Sequence, residues 1–290
     1  DFAIARHNHG STLLDIGRYQ EAIKILKDSC HPLSRSSLLE CLYAVGEQKK
    51  FYQELEKIIE IDKTNLGVAA ISSFAAYQFN RTDPYPFCSD PMDFVSTGNI
   101  LASTGKNRGF LKSVQKQIVE LELGGGNQSL LHSGFQSTGT LFTDAHGPVA
   151  EIQNALRNEI ESYFSKYAGS NCLFVKMRPK NYVLTGWYIA MEKGGHLDWH
   201  NHPSGWLSGA LYFDVPTKSG DEANIEFALH SDKIPARRPD HHRQQYPIAE
   251  GNFVLFPSSL YHRTLPFYTG DARFCVAFDM VASERGANSS

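Results

Sequence analysis

Histidines are concentrated in one stretch of this 290-residue sequence, where seven of the twelve fall between His196 and His262. Histidine is the commonest metal ligand in proteins, and its neutral imidazole offers a lone pair near physiological pH. In the segment HLDWHNHP, metal-ligand residues stand at every second position, namely His196, Asp198, His200 and His202. On an extended strand these four side chains would lie on one face. Two ligands on a strand, with a third from a distant strand, form a facial metal site that leaves positions open for substrate and O₂.

The third ligand and an anion-binding residue are predicted from a later part of the sequence. His262 lies in NFVLFPSSLYHRTLPF, in the run that follows an apolar strand ending at Pro257. Farther along, Arg273 begins RFCVAFDM, another apolar strand. An arginine that enters a buried strand is costly unless it meets an anion, and its planar fork matches a carboxylate. We therefore expect Arg273 to bind a dicarboxylate cosubstrate next to a metal that His262 helps to hold.

Three segments of the sequence resemble a known family. They are GGHLDWHNHPSGWLSGALYFDVP, GNFVLFPSSLYHRTLPF and ARFCVAF, and they look like the Fe(II)/2-oxoglutarate-dependent oxygenases of the prolyl-hydroxylase-like superfamily. The similarity is greatest to a group with an H-x-H-P-x-x-x-x-S-G signature that is sometimes fused to tetratricopeptide repeats. It covers roughly residues 180–280. The resemblance implies that His200 is the first metal ligand and His262 the distal one. It also implies that Arg273 binds 2-oxoglutarate.

The second metal ligand departs from the family pattern, because His202 stands where ordinary members have an aspartate. Three arrangements stay open. In the first, His200, His202 and His262 all bind the metal. In the second, the pair is His196 and Asp198, which matches the family's H-x-D. In the third, His202 lies behind a metal with two protein ligands, as in the aspartyl/asparaginyl β-hydroxylases. The glycine spacing and the short distance to SGALYF favour the first arrangement.

The resemblance implies a dioxygenase that uses Fe(II), 2-oxoglutarate and O₂, releases succinate and CO₂, and hydroxylates a substrate C–H bond. Peptide, protein and small-molecule substrates are all compatible with the sequence. Two alternatives stay open: a three-histidine jelly-roll dioxygenase that does not use 2-oxoglutarate, and a non-catalytic interaction protein of the tetratricopeptide type. Trp206 and Tyr188 are candidate substrate contacts, although aromatic residues of this kind are more often part of a core.

Residues 1–82 are predicted to be helical, because apolar residues recur near the helical period. The segment HGSTLLDIGRYQEAIKILKDS places Gly10 and Gly17 where two antiparallel helices could approach closely. This pattern is similar to a tetratricopeptide repeat, a helix pair with a period of about 34 residues that usually binds partner proteins. A last helix is expected from about Leu66 to Phe79. The proline-rich RTDPYPFCSDPMDF then predicts a linker over residues 83–100.

Residues 101–285 are predicted to form a double-stranded β-helix (jelly-roll) domain with supporting helices, so that the whole chain is α+β. The segments FLKSVQKQIVELEL and GPVAEIQNALRNEIESYFSKY have helical patterns. From Cys172 onward, short β-branched or aromatic runs alternate with Gly, Pro and Asp, which favours an antiparallel jelly roll. These runs are LFVKM, YVLTGWYIAM, LSGALYFDV, ANIEFAL, NFVLF and RFCVAFDM.

Composition narrows the function classes. The net charge of −3 gives no support for nucleic-acid binding, and no apolar stretch approaches the ~20 residues that a membrane span needs. Five widely spaced cysteines without a CxxC pair favour reduced, buried thiols in a cytoplasmic protein. We expect His230, His241 and His242 on a surface loop. The opening residues, DFAIARHNHG, have the pattern of a helix interior, which indicates a fragment of a longer chain.

Overall fold

The computed structural model describes residues 2–125, 128–217, 220–238, 242–270 and 272–283 of the chain. The chain divides into two compact units, each made of separate segments. The first, called here the helical unit, consists of Asp1–Pro91, Asn171–Phe174 and Leu229–His242. The second, the sheet unit, consists of Met92–Ser170, Val175–Ala228 and Arg243–Ser290. The domain boundaries inferred from the sequence stay a prediction.

Consecutive helices form most of the helical unit. They are α1 (Phe2–Asp15), α2 (Tyr19–Leu26), α3 (Pro32–Ala44), α4 (Gln48–Ile61) and α5 (Leu66–Gln78). Helices α1 and α2 approach closely at Gly10, where an added Cβ would lie 2.4 Å from Cδ2 of Leu26. Gly17 has another role, since its φ of 75° suits the turn between the two helices. Helix α5 confirms the last predicted helix, but these helices do not confirm a tetratricopeptide repeat.

The segment Leu229–His242 packs within the helical unit, and its first histidine is not on the surface. His230 is only 6% exposed, and its ring centroid lies 4.8 Å from that of Phe74. The backbone N–H of Arg237 donates to Oε1 of Gln78 at 2.7 Å. The predicted surface position is therefore wrong for His230, because bonds of this kind hold the loop against α5. His242 is exposed as expected, and the residue at position 241 lies outside the described residues.

The helices predicted beyond residue 100 are present. The helices after the linker are α6 (Ile100–Thr104), α7 (Arg108–Glu120), α8 (Gly147–Lys166) and α9 (Leu173–Lys176). Helix α9 replaces the predicted strand LFVKM, so that prediction is wrong. The backbone N–H groups of Leu173 and Phe174 donate to the carbonyls of Pro86 and Phe87. Strand propensity is easily overridden by such context.

The sequence predicts no membrane span and buried, reduced cysteines. Within the described ranges, no helix has both the length and the apolar character that crossing a membrane requires. All five cysteines are thiols rather than members of disulfides. Cys41, Cys88 and Cys275 are buried, as expected, whereas Cys30 is exposed and Cys172 is partly buried. The prediction of buried thiols is wrong for these last two, because they lie in loops that precede α3 and α9.

The sheet unit is built on an antiparallel sheet that curls on itself. Its strands in the described part of the chain are β1 (Ser96–Asn99), β2 (Leu131–Gln136), β3 (Tyr182–His200), β4 (Leu207–Asp214), β5 (Ile225–Ala228), β6 (Arg243–Tyr246), β7 (Asn252–Pro257), β8 (Tyr261–Thr264) and β9 (Arg273–Ala282). Their order is β1-β7-β4-β9-β3-β8-β5-β6, and β2 also pairs with β3. This curled antiparallel sheet after N-terminal helices agrees with the predicted jelly roll.

The long strand β3 connects the two halves of the sheet. Its first part pairs with β9, and its end pairs with β8. The sequence predicts five of the strands: β3, β4, β5, β7 and β9. It does not predict the short strands β1, β2, β6 and β8, which contain few consecutive apolar residues. One of these, β8, carries His262, so the structure places the distal histidine on a strand of its own.

A β-bulge near the end of β3 decides which side chains face the inside of the sheet. Leu197 is opposite Thr264, whereas His200 is opposite His262, so β3 advances three residues where β8 advances two. The extra residue reverses the alternation of side chains along the strand. His196 therefore does not share a face with His200. The prediction that the alternating side chains of HLDWHNHP lie on one face is wrong for this reason, and its last histidine lies beyond the end of the strand.

Candidate metal centre

Three histidines converge inside the curled sheet, and we call them the inner cluster: His200, His202 and His262. Each offers one ring nitrogen, and these nitrogens all lie within 4.8 Å of one another. The ring centroids of His200 and His262 are 4.2 Å apart, and those of His202 and His262 are 5.0 Å apart. This is the set that the first of the three predicted ligand arrangements requires.

Two of these histidines are oriented by backbone carbonyls. Nδ1 of His200 lies 2.7 Å from the carbonyl oxygen of Asp198, and Nδ1 of His262 lies 3.3 Å from that of Leu260. Because a carbonyl oxygen only accepts, Nδ1 must donate in each pair. In the neutral ring this leaves the lone pair on Nε2, the atom that is free to bind a metal.

The third histidine is backed by a carboxylate. His202 lies in the loop after β3, where its backbone N–H donates to the carbonyl of Ser258 at 3.0 Å. Its Nδ1 lies 2.7 Å from Oδ1 of Asp279, and the same oxygen accepts from the Ser208 hydroxyl at 2.6 Å. Asp279 and Ser208 are both buried. A metal-binding histidine whose other nitrogen meets a carboxylate is a common arrangement that fixes the ring and raises its basicity.

Burial keeps two histidines of the inner cluster, His200 and His262, in their neutral form. It lowers the pKa of His200 to about 4, and the neighbouring His202 lowers it further. Burial also lowers the pKa of His262 well below its ordinary value, with smaller contributions from the other two histidines. Burial disfavours the charged imidazolium in each case. At neutral pH, His200 and His262 are therefore in the protonation state that a metal needs.

Arg273 lies at the start of β9 and is 2% exposed. Its Nη1 is 3.2 Å from Oγ1 of Thr264 and 3.3 Å from Sδ of Met191. Its Nε is buried and has no hydrogen-bond partner. No carboxylate of the described residues forms an ion pair with Arg273. A buried guanidinium without a counter-charge is costly, so these contacts fit an anion that would bind here.

The inner cluster and Arg273 line the same cavity. Its volume is about 370 Å³, within the range of roughly 300–1,000 Å³ that is typical of small-molecule sites. Among the described residues, the cavity is also lined by Trp187, Ile189, Tyr212, Phe256 and Thr264. A cofactor held by the histidines and an anion held by the arginine would therefore lie in the same cavity.

The two predicted substrate contacts lie elsewhere. Tyr188 packs between Phe135 and Phe274, with ring centroids 5.5 and 5.3 Å away. The backbone N–H of Trp206 donates to the carbonyl of Met280 at 2.8 Å. Neither residue belongs to the described lining of the cavity, whereas Trp187 does.

His196 and Asp198, the alternative ligand pair, lie with His132 and not with the inner cluster. We call these three residues the outer cluster. The side chains of His132 and Asp198 are 45% and 53% exposed, and that of His196 is 31% exposed. The second predicted arrangement requires this pair to act with the distal histidine His262, and the structure does not bring them together.

Sequence reasoning missed the carboxylate behind the inner cluster. Asp279 was available as a signal, because it is an acidic residue inside the apolar run RFCVAFDM. A buried carboxylate needs a partner, and the same argument that singled out Arg273 applies to it. Ser208 and Thr264 carried no comparable signal, since small hydroxyl residues are common in strands.

The comparisons with known proteins point to one family. Residues 185–279 match the family model described as “Putative 2OG-Fe(II) oxygenase”, and this segment contains the whole inner cluster, Arg273 and Asp279. No curated protein matches the chain.

Several solved structures are distantly similar. A prolyl-4-hydroxylase from Pseudomonas putida has 12% identity and a TM-score of 0.46, with 65% of this chain and 92% of that chain covered. A viral collagen prolyl hydroxylase from Paramecium Bursaria Chlorella virus-1, in complex with 2-oxoglutarate, has 9% identity and a TM-score of 0.44, with coverages of 66% and 97%. A Trichoplax adhaerens prolyl hydroxylase has 12% identity and a TM-score of 0.42, with coverages of 82% and 96%. At these TM-scores we draw no functional conclusion from them.

The curled antiparallel sheet thus contains a three-histidine cluster and, among the described residues, a buried arginine without an ion-pair partner, all within the segment that the family model matches. Residues 185–279 are therefore similar to the 2OG-Fe(II) oxygenases, a family whose cofactors are Fe(II) and 2-oxoglutarate.

Proposed function

We propose that this protein is an Fe(II)- and 2-oxoglutarate-dependent dioxygenase whose metal is held by His200, His202 and His262. One observation carries the proposal: the three imidazoles of the inner cluster and the buried guanidinium of Arg273 line one cavity. Metal ligands alone are compatible with many activities. A buried cation beside them, without a carboxylate to neutralise it, is what a dicarboxylate cosubstrate requires.

Each residue has a distinct task in this proposal. Fe(II), when bound with 2-oxoglutarate, supplies the oxidative chemistry that yields succinate and CO₂ and hydroxylates a C–H bond. His200 and His262 present Nε2 lone pairs that are free of protons, so metal binding at these two residues does not compete with protonation at neutral pH. Arg273 holds the far carboxylate of 2-oxoglutarate, with Thr264 positioning the guanidinium. The apolar walls around Ile189 and Phe256 exclude water from the reacting groups.

Asp279 compensates for the missing aspartate of the ordinary family pattern. A histidine ligand brings no charge to the metal, whereas the aspartate that it replaces would bring one negative charge. Nδ1 of His202 donates to the Asp279 carboxylate at 2.7 Å. The negative charge therefore lies on the residue behind the ligand and not on the ligand itself. We infer that Asp279 stabilises the cation through His202 and also fixes the ring.

The substrate is proposed only by class, as a C–H bond of a peptide, a protein or a small molecule. The helical unit supports a protein partner, because paired helices often bind partners. This support rests on analogy with helical repeats rather than on a residue of the site.

Succinate formation tests the proposal. Purified protein with Fe(II), 2-oxoglutarate and O₂ should release succinate slowly even without substrate. His262→Ala and Arg273→Ala should reduce this rate to background, while His146→Ala, which removes an exposed histidine of the sheet unit, should match the wild type. Equal rates in all four proteins would contradict the assignment, and so would a wild type that binds no iron.

A three-histidine dioxygenase without 2-oxoglutarate is the second candidate, and the all-histidine ligand set is the observation that favours it. The unpaired charge of Arg273 has no role in that reaction. Substrate-dependent O₂ consumption that continues without 2-oxoglutarate, and yields no succinate when it is added, would support the second candidate.

A further inference from the structure

The outer cluster of His132, His196 and Asp198 has features of a second metal site. It lies on the face of the sheet that the bulge in β3 turns away from the cavity. His132 on β2 and His196 on β3 are opposite each other in the strand pairing, and their rings stack with centroids 4.3 Å apart at an angle of 9°. The donor atoms of all three side chains lie within 4.8 Å of one another.

Two acceptor atoms of the cluster face each other when the His196 ring is neutral. Nδ1 of His196 lies 2.9 Å from the carbonyl oxygen of Gly194, so Nδ1 donates and Nε2 of the neutral ring carries the lone pair. This Nε2 lies 3.9 Å from Oδ1 of Asp198, which also only accepts. The other carboxylate oxygen lies 2.9 Å from Nε2 of His132. Two acceptors that face each other repel unless a positive charge lies between them.

The spacing of the donor atoms is compatible with a transition metal. Zinc binds nitrogen and oxygen ligands at about 2.1 Å, which puts the ligands of a tetrahedral ion about 3.4 Å apart. The distances of 2.9 and 3.9 Å from Asp198 to the two histidines bracket this value. Two imidazoles and a carboxylate form a donor set that suits zinc, nickel or copper. The partial exposure of all three side chains leaves room for water as a further ligand.

We propose that the outer cluster binds a divalent transition metal that is separate from the metal of the inner cluster. Such an ion would connect β2 to β3 through side chains as well as through the backbone. Next to it, the N–H of Asp198 donates to the carbonyl of Leu130 at 3.0 Å, and Leu130 and Gln128 line the cavity. The outer metal therefore braces one wall of the cavity without contacting what the cavity holds.

The proposal is tested by counting bound zinc with Zn²⁺ as the probe. Wild-type protein should bind two zinc ions, and His132→Ala should bind one. A His200→Ala/His262→Ala double variant should keep the outer ion, which makes the result independent of the proposed dioxygenase activity. His146→Ala serves as the matched surface control and should still bind two. Equal zinc stoichiometry in the wild type and His132→Ala would overturn the proposal.

Hydrogen exchange provides a second measurement. Zinc should slow exchange of the backbone amides around Leu130 and His132 in the His200→Ala/His262→Ala variant, in which only the outer site can fill. The same zinc addition should have no effect once His132→Ala is added to that variant. The repulsion between His196 and Asp198 would also be relieved by a proton on Nε2 of His196. In that case zinc will change neither the stoichiometry nor the exchange, and the proposal fails.

Discussion

His200 of the inner cluster and His196 of the outer cluster lie on opposite faces of β3, and the two clusters hold their imidazoles in different ways. Every imidazole of the inner cluster has its Nδ1 bonded to a carbonyl or a carboxylate, and burial lowers the pKa of His200 and His262. The outer histidines are partly exposed, and their carboxylate lies within the cluster itself. The inner ligands are therefore oriented before a metal binds, whereas the outer ligands must be organised partly by the ion.

The difference shows that a bulge, rather than the residue pattern, separates the two clusters. Without the extra residue between Leu197 and His200, the alternation of β3 would put His196 and His200 on one face. Preorganised ligands lose little entropy on binding, so the inner cluster should bind metal more tightly. The following predictions test this comparison.

The largest expected effect is the loss of inner-site affinity when one of its ligands is removed. In a His132→Ala background, which silences the outer cluster, His200→Ala should weaken Co²⁺ binding by about 100-fold or more, because metal affinity depends on each ligand bond. Isothermal titration with Co²⁺, which is stable in air, measures this directly. An unchanged affinity would mean that His200 is not a ligand and that the inner cluster is only a group of core histidines.

Arg273 should control cosubstrate binding without affecting the metal. Charge-assisted hydrogen bonds contribute about 1.5–3 kcal/mol each, so Arg273→Gln should raise the KM for 2-oxoglutarate by about 10- to 100-fold. Arg273→Lys should have a smaller effect, since it keeps the charge but not the fork. Steady-state succinate assays give the KM, and Co²⁺ titration should show unchanged metal affinity. A normal KM for 2-oxoglutarate in the Arg273→Gln variant would contradict the proposal that Arg273 binds this cosubstrate.

The Asp279 carboxylate, which contacts His202, should account for part of the higher metal affinity that we expect of the inner cluster. Asp279→Asn keeps the size of the side chain but removes its charge, and loss of such a partner typically weakens metal binding by about 10- to 100-fold. Ser208→Ala removes a hydrogen bond to the same carboxylate and should have a smaller effect. If Asp279→Asn binds Co²⁺ normally while Asp279→Ala does not, the side chain contributes packing and not charge.

His230 is a buried histidine outside both clusters, so it shows the effect of burial on a histidine pKa without neighbouring metal ligands. Burial lowers the pKa of His230 to about 4, yet none of the metal-ligand groups found among the described residues includes it. The unfolded chain takes up a proton below a pKa of about 6.5 and the folded chain does not, so stability falls as the pH drops from about 7 towards 4.

This loss should be about 2 kcal/mol between about pH 7.5 and pH 5, from the pKa difference alone. His230→Phe should remove that part of the pH dependence without changing the number of zinc ions bound. Denaturant unfolding of the metal-free protein at several pH values measures the effect. A slope identical to that of the wild type would show that His230 is not buried in its neutral form.

Most of the site's composition could be predicted from the sequence, but its geometry could not. His262 was identified because it follows a buried apolar strand, and Arg273 because it begins one. A polar residue in such a place is costly unless it has a binding partner. The division of HLDWHNHP between two faces was missed, since a bulge inserts one residue and has no reliable signature in a single sequence. Helix α9 was missed for a related reason: tertiary hydrogen bonds from its first N–H groups to the carbonyls of Pro86 and Phe87 decide the conformation of this short run.

The smallest expected effect is that of the outer cluster on the inner one. His132→Ala should change the Co²⁺ affinity of the inner cluster by less than about threefold, because sites without shared side chains are usually additive within about 0.5 kcal/mol. Asp198 links the two clusters, because its backbone carbonyl accepts from Nδ1 of His200 at 2.7 Å, and this bond does not involve the side chain of His132. A change of tenfold or more would show that the two clusters act as one site. It would also restore the sequence-based alternative in which His196 and Asp198 serve the catalytic metal.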